Sequence, residues 1–112
     1  MKLDLTITVK ETKVRIYSYH DISDPLNENI DIFVSVGGSV YGGTVISLEN
    51  VRQLMMKPDL PDYFYVSNSI VISILTPETI SNAVREMIEE DDLEYIFCKQ
   101  IAISGASGAE TE

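Results

Sequence analysis

The chain has one cysteine, one histidine and no tryptophan, few glycines and prolines, and only eight Lys and Arg against eighteen Asp and Glu. Each shortage removes a class of function. A lone Cys98 forms no internal disulfide, which suits a reducing compartment, and its apolar, strand-like sequence surroundings suggest a small core side chain rather than a reactive thiol. With the only histidine, His20, far from Cys98 in sequence, the nitrogen and sulfur ligands of a structural zinc site are missing. The acidic loop 21–31 lacks the D-x-[DN]-x-[DN]-G spacing of an EF-hand. The glycines of Gly37-Gly38-Ser39-Val40-Tyr41-Gly42-Gly43 lie between two strand patterns, without the Gly-Lys-Ser/Thr ending of a phosphate loop or the strand, turn and helix order of a dinucleotide fingerprint. They read as a hairpin turn followed by a bulge or a close backbone approach. No apolar run approaches a membrane span, and Met1–Val9 interleaves Asp4, Thr6 and Thr8 among its apolar residues, unlike the continuous core of a secretory signal. The expectation is a soluble cytoplasmic protein with no cofactor, no metal site and no catalytic residue.

What is abundant is negative charge. The net charge is -10 over 112 residues. Residues 1–15 are locally basic, with Lys2, Lys10, Lys13 and Arg15 against Asp4 and Glu11, so the rest of the chain is more acidic than the total suggests. Glu86, Glu89, Glu90, Asp91, Asp92 and Glu94 form one run with no basic residue among them. Such a field repels nucleic acid and anionic lipid and steers a basic partner inward.

The elements follow from periodicity. Leu3, Leu5, Ile7 and Val9 alternate with polar residues as a half-buried strand. Glu11-Thr12 turns the chain into a second strand, with Val14 and Ile16 inward and Lys13, Arg15, Tyr17 and Tyr19 outward. His20–Asn29 reads as an exposed loop. Ile30, Ile32, Val34 and Val36 alternate with Asp31, Phe33 and Ser35 in a third strand, and Val40–Ile46 is a fourth. Ser47 is a natural N-cap for a helix from Leu48 to about Lys57, stopped by Pro58. Tyr63–Val66 and Ile70–Leu75 are β-prone. Thr76-Pro77-Glu78 joins a capping hydroxyl, a proline at the first helical position and a first-turn carboxylate. The helix it opens carries Ile80, Val84, Met87 and Ile88 on one face and fades near Asp91-Asp92, and Glu94–Ile103 is a last strand. The fold class expected is α+β, an antiparallel sheet of about six to seven strands with two helices packed on one face. Residues 1–103 form one domain and 104–112 a flexible acidic tail.

Two residue groups stand out for binding. One joins Tyr17 and Tyr19 to Asp21, Asp24, Glu28 and Asp31, since outward tyrosines beside carboxylates offer rigid contact area together with charge; the competing reading makes these rings core beneath a covered far face. The other is the run Glu86, Glu89, Glu90, Asp91, Asp92 and Glu94, which reads simply as a solvated face, although acids at a helix C-terminus oppose its dipole. His20 with Asp21 and Asp24 could be an acid–base pair, but a histidine opening a polar loop is more often solvated. The paired carboxylates imply no apolar pocket to separate their pKa values.

A strand Tyr41-Gly42-Gly43-Thr44, a short helix, the Tyr63-Phe64-Tyr65 segment, a hydrophobic strand and Thr76-Pro77-Glu78-Thr79-Ile80 opening an amphipathic helix resemble the arrangement in small bacterial immunity proteins of contact-dependent growth-inhibition and polymorphic toxin systems. The resemblance covers about half the chain. It implies a cytoplasmic, non-enzymatic inhibitor that binds a cognate protein toxin, commonly a basic nuclease domain, without contacting nucleic acid or membrane itself. Three alternatives fit the same sequence. One is an acidic nucleic-acid mimic of antirestriction or phage type. Another is a small oligomeric ligand-binding or enzyme subunit with a site around His20 and Tyr41. The last is an oligomerising structural module.

Overall fold

The computed structural model describes residues 1–58 and 66–101, so Tyr63–Tyr65 of the β-prone segment and the tail 104–112 lie outside the described residues. The fold is α+β, as expected. Strands β1 (Lys2–Val9), β2 (Thr12–Asp21), β3 (Asn29–Val36) and β4 (Ser39–Ser47) form an antiparallel meander. Helix α1 (Leu48–Met55), strand β5 (Ser69–Ile72), helices α2 (Pro77–Glu89) and α3 (Leu93–Ile96) and strand β6 (Cys98–Lys99) follow.

Alternation sets the core. Val14, Ile16, Ile32, Val34 and Val45 have no exposure, and they share one face of the sheet with Leu3, Val9 and Ile30. Helix α2 lays Ile80, Val84 and Met87 on that face, at the i, i+4, i+7 spacing of a single helical stripe. Its start is built as the sequence indicates: the Thr76 side chain accepts the Thr79 N–H at 3.2 Å, with Pro77 in the first turn. Helix α1 contributes nothing to this core cluster. It stands at the end of β4, where Asn50 accepts from Asn29 and donates to Asn27. Asn29 pairs in register with Ile46, on the sheet face opposite Val45.

Both two-residue turns of the meander have positive φ at each central position, the geometry of tight right-twisting hairpins. Gly37 and Gly38 meet this demand at φ of 59° and 81°. The first hairpin uses Lys10 and Glu11, at 50° and 66°, so its turn lies one residue earlier than the expected Glu11-Thr12. The loop after β2 is better anchored than its composition suggests. Ile22 is buried and exchanges two bonds with Met1, the Pro25 carbonyl accepts the Leu75 N–H, and the Glu28 carboxylate accepts the N–H groups of Ser23 and Asp24. Ser47 joins this loop to α1 from a fully buried position. Its hydroxyl donates to the Leu26 carbonyl at 2.9 Å and accepts from the backbone of Glu28 and Asn50.

One pair departs from the antiparallel expectation. Strand β5 runs parallel to β4, from Thr44 opposite Ser69 to Ser47 opposite Ile72. A tight turn reverses a chain, whereas the helix-containing link from Leu48 to Asn68 is long enough to carry it back and lay the next strand down in the same direction. The same edge of β4 also pairs, through Tyr41 and Gly42, with the antiparallel β6.

Of the expected strand Glu94–Ile103, residues 102 and 103 lie outside the described residues, and the rest is instead the single turn α3 followed by the two-residue β6. Leu93 is buried at the start of α3, and the turn delivers Phe97 into the core at 1% exposure. Cys98 is consequently exposed, contrary to its expected core role. The Phe97 ring lies directly on Gly43, where an added Cβ would come within 2.2 Å of a ring carbon. The Gly42-Gly43 pair is thus a close approach and not a bulge, and the β3–β4 register runs unbroken past it. Gly43→Ala should cost about 3 kcal/mol by overpacking, measured as a lower midpoint in urea denaturation, and Gly43→Ala combined with Phe97→Leu should recover part of that loss.

Candidate protein-interaction surface

The same alternation that buries one face of the meander commits the other to solvent. Across the strands, Asp4 pairs in register with Tyr17, Tyr17 with Phe33, and Phe33 with Gly42. The next rung toward the loop end holds Asp31 opposite Thr44. The rings of Tyr17 and Phe33 are stacked with centroids 5.5 Å apart, and Tyr19 lies 4.9 Å from Phe33 and 5.9 Å from Tyr17. Such clusters stabilise a sheet beyond their area alone. Tyr19 is nevertheless 64% exposed, and Tyr17 and Phe33 are only half-buried. The outward reading of Tyr17 and Tyr19 is therefore the one the fold adopts.

Charge borders this cluster on two sides. Arg15 binds Asp4 with two parallel hydrogen bonds of 3.0 Å, and its guanidinium lies 4.4 Å from the centre of the Tyr17 ring. The Arg15 bond holds the Asp4 carboxyl below the usual aspartate range, while Asp4 in turn raises Arg15 further. Partial burial, with Tyr19 close by, pushes the Tyr17 phenol up against the opposing pull of Arg15. On the other side Asp31 accepts the Thr44 hydroxyl at 2.7 Å, and among the described residues it forms no ion pair. Beside it a shallow groove of about 350 Å³ runs past Phe33, Gly42, Asn68 and Gln100.

The twelve residues singled out in sequence do not form one site. Tyr17, Tyr19 and Asp31 share the open face. Asp21 is exposed at the end of β2, opposite Lys2. Asp24 and Glu28 serve their own loop, Asp24 accepting the Leu26 N–H and Glu28 bracing the turn. Glu86, Glu89, Glu90, Asp91, Asp92 and Glu94 are exposed at the other end of the sheet, where Asp91 comes within 4.0 Å of Lys10 in the first hairpin turn. Tyr95, 80% exposed in α3, adds an aromatic ring to this second group. His20 and Tyr41 are apart: Tyr41 pairs with Val34 and Val34 with Ile16, four residues along β2 from His20. Among the described residues no three His, Cys, Asp or Glu side chains are arranged to hold a metal ion.

Sequence reasoning did not count Phe33, Arg15, Asp4 and Tyr95 among the candidate binding residues. The signal for the first three was their outward position in the alternation. That they meet each other depends on the β2–β3 register, which a loop of this length does not announce. The polar ends of the groove, Asn68 and Gln100, come from a strand that sequence periodicity misplaced and from the turn before β5.

The end of α2 shows why its acids stand clear of the core. The Asp92 N–H bonds to the Met87 carbonyl at 2.7 Å and the Asp91 N–H to that of Ile88 at 3.1 Å, with Asp91 at a φ of 57°. This is the Schellman arrangement, with aspartate where glycine is favoured. No family model, curated protein or solved structure matches the chain.

Two measurements check this surface. Asp91→Gly relieves a left-handed aspartate and an acid at the negative end of a helix, and should raise stability by about 1 kcal/mol, read as a higher thermal midpoint. A folded-state pKa held below its unfolded value contributes stability above about pH 4 that is lost as pH falls through the lowered value. Asp4 should accordingly titrate below the ordinary aspartate range by NMR, with the Tyr17 ring signals following, and Arg15→Gln should return its midpoint to that range.

Proposed function

We propose that the protein is a non-enzymatic binding protein that captures a basic protein partner, acting as an immunity protein that neutralises a cognate toxin domain of nuclease type. The observation that carries this reading is the open sheet face: three aromatic rings and a carboxylate that forms no ion pair among the described residues, on a chain of net charge -10. Ordinary soluble sheets face water with small polar side chains, whereas rigid aromatic area combined with charge is the composition of protein contact surfaces. The long-range field supports the same partner chemistry, because a strongly acidic molecule attracts a cationic one before contact.

The rival readings lose support for separate reasons. A nucleic-acid mimic works by spacing carboxylates evenly along one surface, and here the acids gather at opposite ends of the sheet. A small-molecule site around His20 and Tyr41 would require those residues to be neighbours within the chain or across an oligomer.

The test is co-expression with a basic toxin encoded beside the gene, scoring growth rescue and co-purification. Rescue with a stable complex is the expected result, and persistent toxicity with no complex would refute the reading. Reversing Glu89, Glu90, Asp91 and Asp92 to lysine should slow association about tenfold at low salt, with the difference fading as salt rises. Unchanged association kinetics would remove that end of the molecule from the partner's path.

A further inference from the structure

We infer that the groove beside Phe33 is a slot for an arginine side chain of the partner, with Asp31 as its anion and the Phe33 ring as its wall. The inference rests on the protein-binding reading above and names the contact within it. Its basis is a comparison between two halves of the same sheet face. In one half a carboxylate (Asp4), a guanidinium (Arg15) and an aromatic ring (Tyr17) form a completed set, with bidentate bonds of 3.0 Å and a ring contact of 4.4 Å. In the other half the carboxylate of Asp31 and the ring of Phe33 stand two residues apart on the same face of β3, with Tyr19 against Phe33, and among the described residues the cation is missing.

The polar lining has matching chemistry. Asp31 is oriented by the Thr44 hydroxyl, which bonds one carboxylate oxygen and leaves the other as an acceptor. Asn68 donates an amide N–H to the Ile96 carbonyl and Gln100 one to that of Cys98, and among the described residues neither amide oxygen accepts a hydrogen bond. The missing Cβ at Gly42 lets the Gln100 side chain lie against β4 beside Phe33: a Cβ there would come within 2.7 Å of the Gln100 amide nitrogen and 3.2 Å of the Phe33 ring. A groove supplying acceptors and ring faces fits a group that has only donors and a flat face of its own. That describes guanidinium, while an ammonium offers the charge without the plane.

The experiment uses the full-length chain labelled with ¹⁵N and two short blocked peptides, one carrying two arginines between glycines and one carrying two lysines. The arginine peptide should give saturable shifts centred on Asp31, Phe33, Gly42, Asn68 and Gln100, and the lysine peptide should bind several-fold more weakly. Asp31→Asn, which keeps the side-chain shape, should weaken the arginine peptide about tenfold. Equal binding of the two peptides, or shifts confined to residues 86–95, would overturn the slot. Failure here is distinguishable from failure of the immunity reading. Growth rescue that survives Asp31→Asn and Phe33→Ala rejects the slot and keeps the function, whereas arginine-selective shifts without rescue from the basic toxin keep the slot and reject the function.

Discussion

Val14 and Ile16 of β2 face Val36 and Val34 of β3, and Ile32 and Val34 face Gly43 and Tyr41 of β4, so a single register aligns the apolar positions of three strands. Because side chains alternate with a period of two, sliding either pairing by one residue would expose the valines and isoleucines and drive Arg15, Asp31 and the tyrosines inward. Burying those charges unpaired would cost far more than any rearrangement of loops returns. The hydrophobic face therefore fixes more than the core. It decides which residues meet on the opposite side, and the neighbourhood of Tyr17, Phe33 and Asp31 is a consequence of where Val14, Ile16 and Val34 must go.

The edge of β4 shows a second constraint, set by size rather than polarity. Among the described residues Phe97 is the largest side chain with almost no exposure, and it reaches the core over a position that has no Cβ. Removing side chains at Gly42 and Gly43 thins the sheet locally on both faces. On one face the space admits the Phe97 ring, and on the other it leaves room for Gln100 beside Phe33. Core packing and the surface groove are thus two sides of the same pair of glycines.

Much of this was legible in the sequence. Strict alternation identified the meander and its inward set, Ser47 and Thr76 marked the starts of both longer helices, and the outward tyrosines are where period two puts them. The illegible parts share a cause. Whether β5 pairs parallel or antiparallel depends on how far the preceding link travels, and local residue preferences carry no record of it. The stretch after Asp92 alternates well enough to pass for a strand, yet a strand would carry Tyr95 to the same face as Leu93 and Phe97, whereas one turn of helix buries those two and leaves Tyr95 in solvent. Both acidic groups were singled out in sequence, but Asp24 and Glu28 accept backbone N–H groups of their own loop, and among the described residues the acids after Met87 accept none. Charge counting cannot make that distinction, since it depends on which backbone N–H groups a turn leaves without partners.

The double use of the β4 edge bears on how the chain reaches this structure. β1 to β4 form by pairing sequence neighbours, so each contact closes a modest loop. Strands β5 and β6 have nothing to pair with until β4 is in place, and each then takes its own stretch of the same edge, Thr44–Ser47 and Tyr41–Gly42, in opposite directions. Assembly is accordingly ordered in time: a hairpin-by-hairpin sheet first, and afterwards a slower annealing of the C-terminal third onto a template already made. Amides in β5 and β6 would open to solvent at lower free energy than those of β2 and β3, giving the molecule a cooperative nucleus and a later-joining flank.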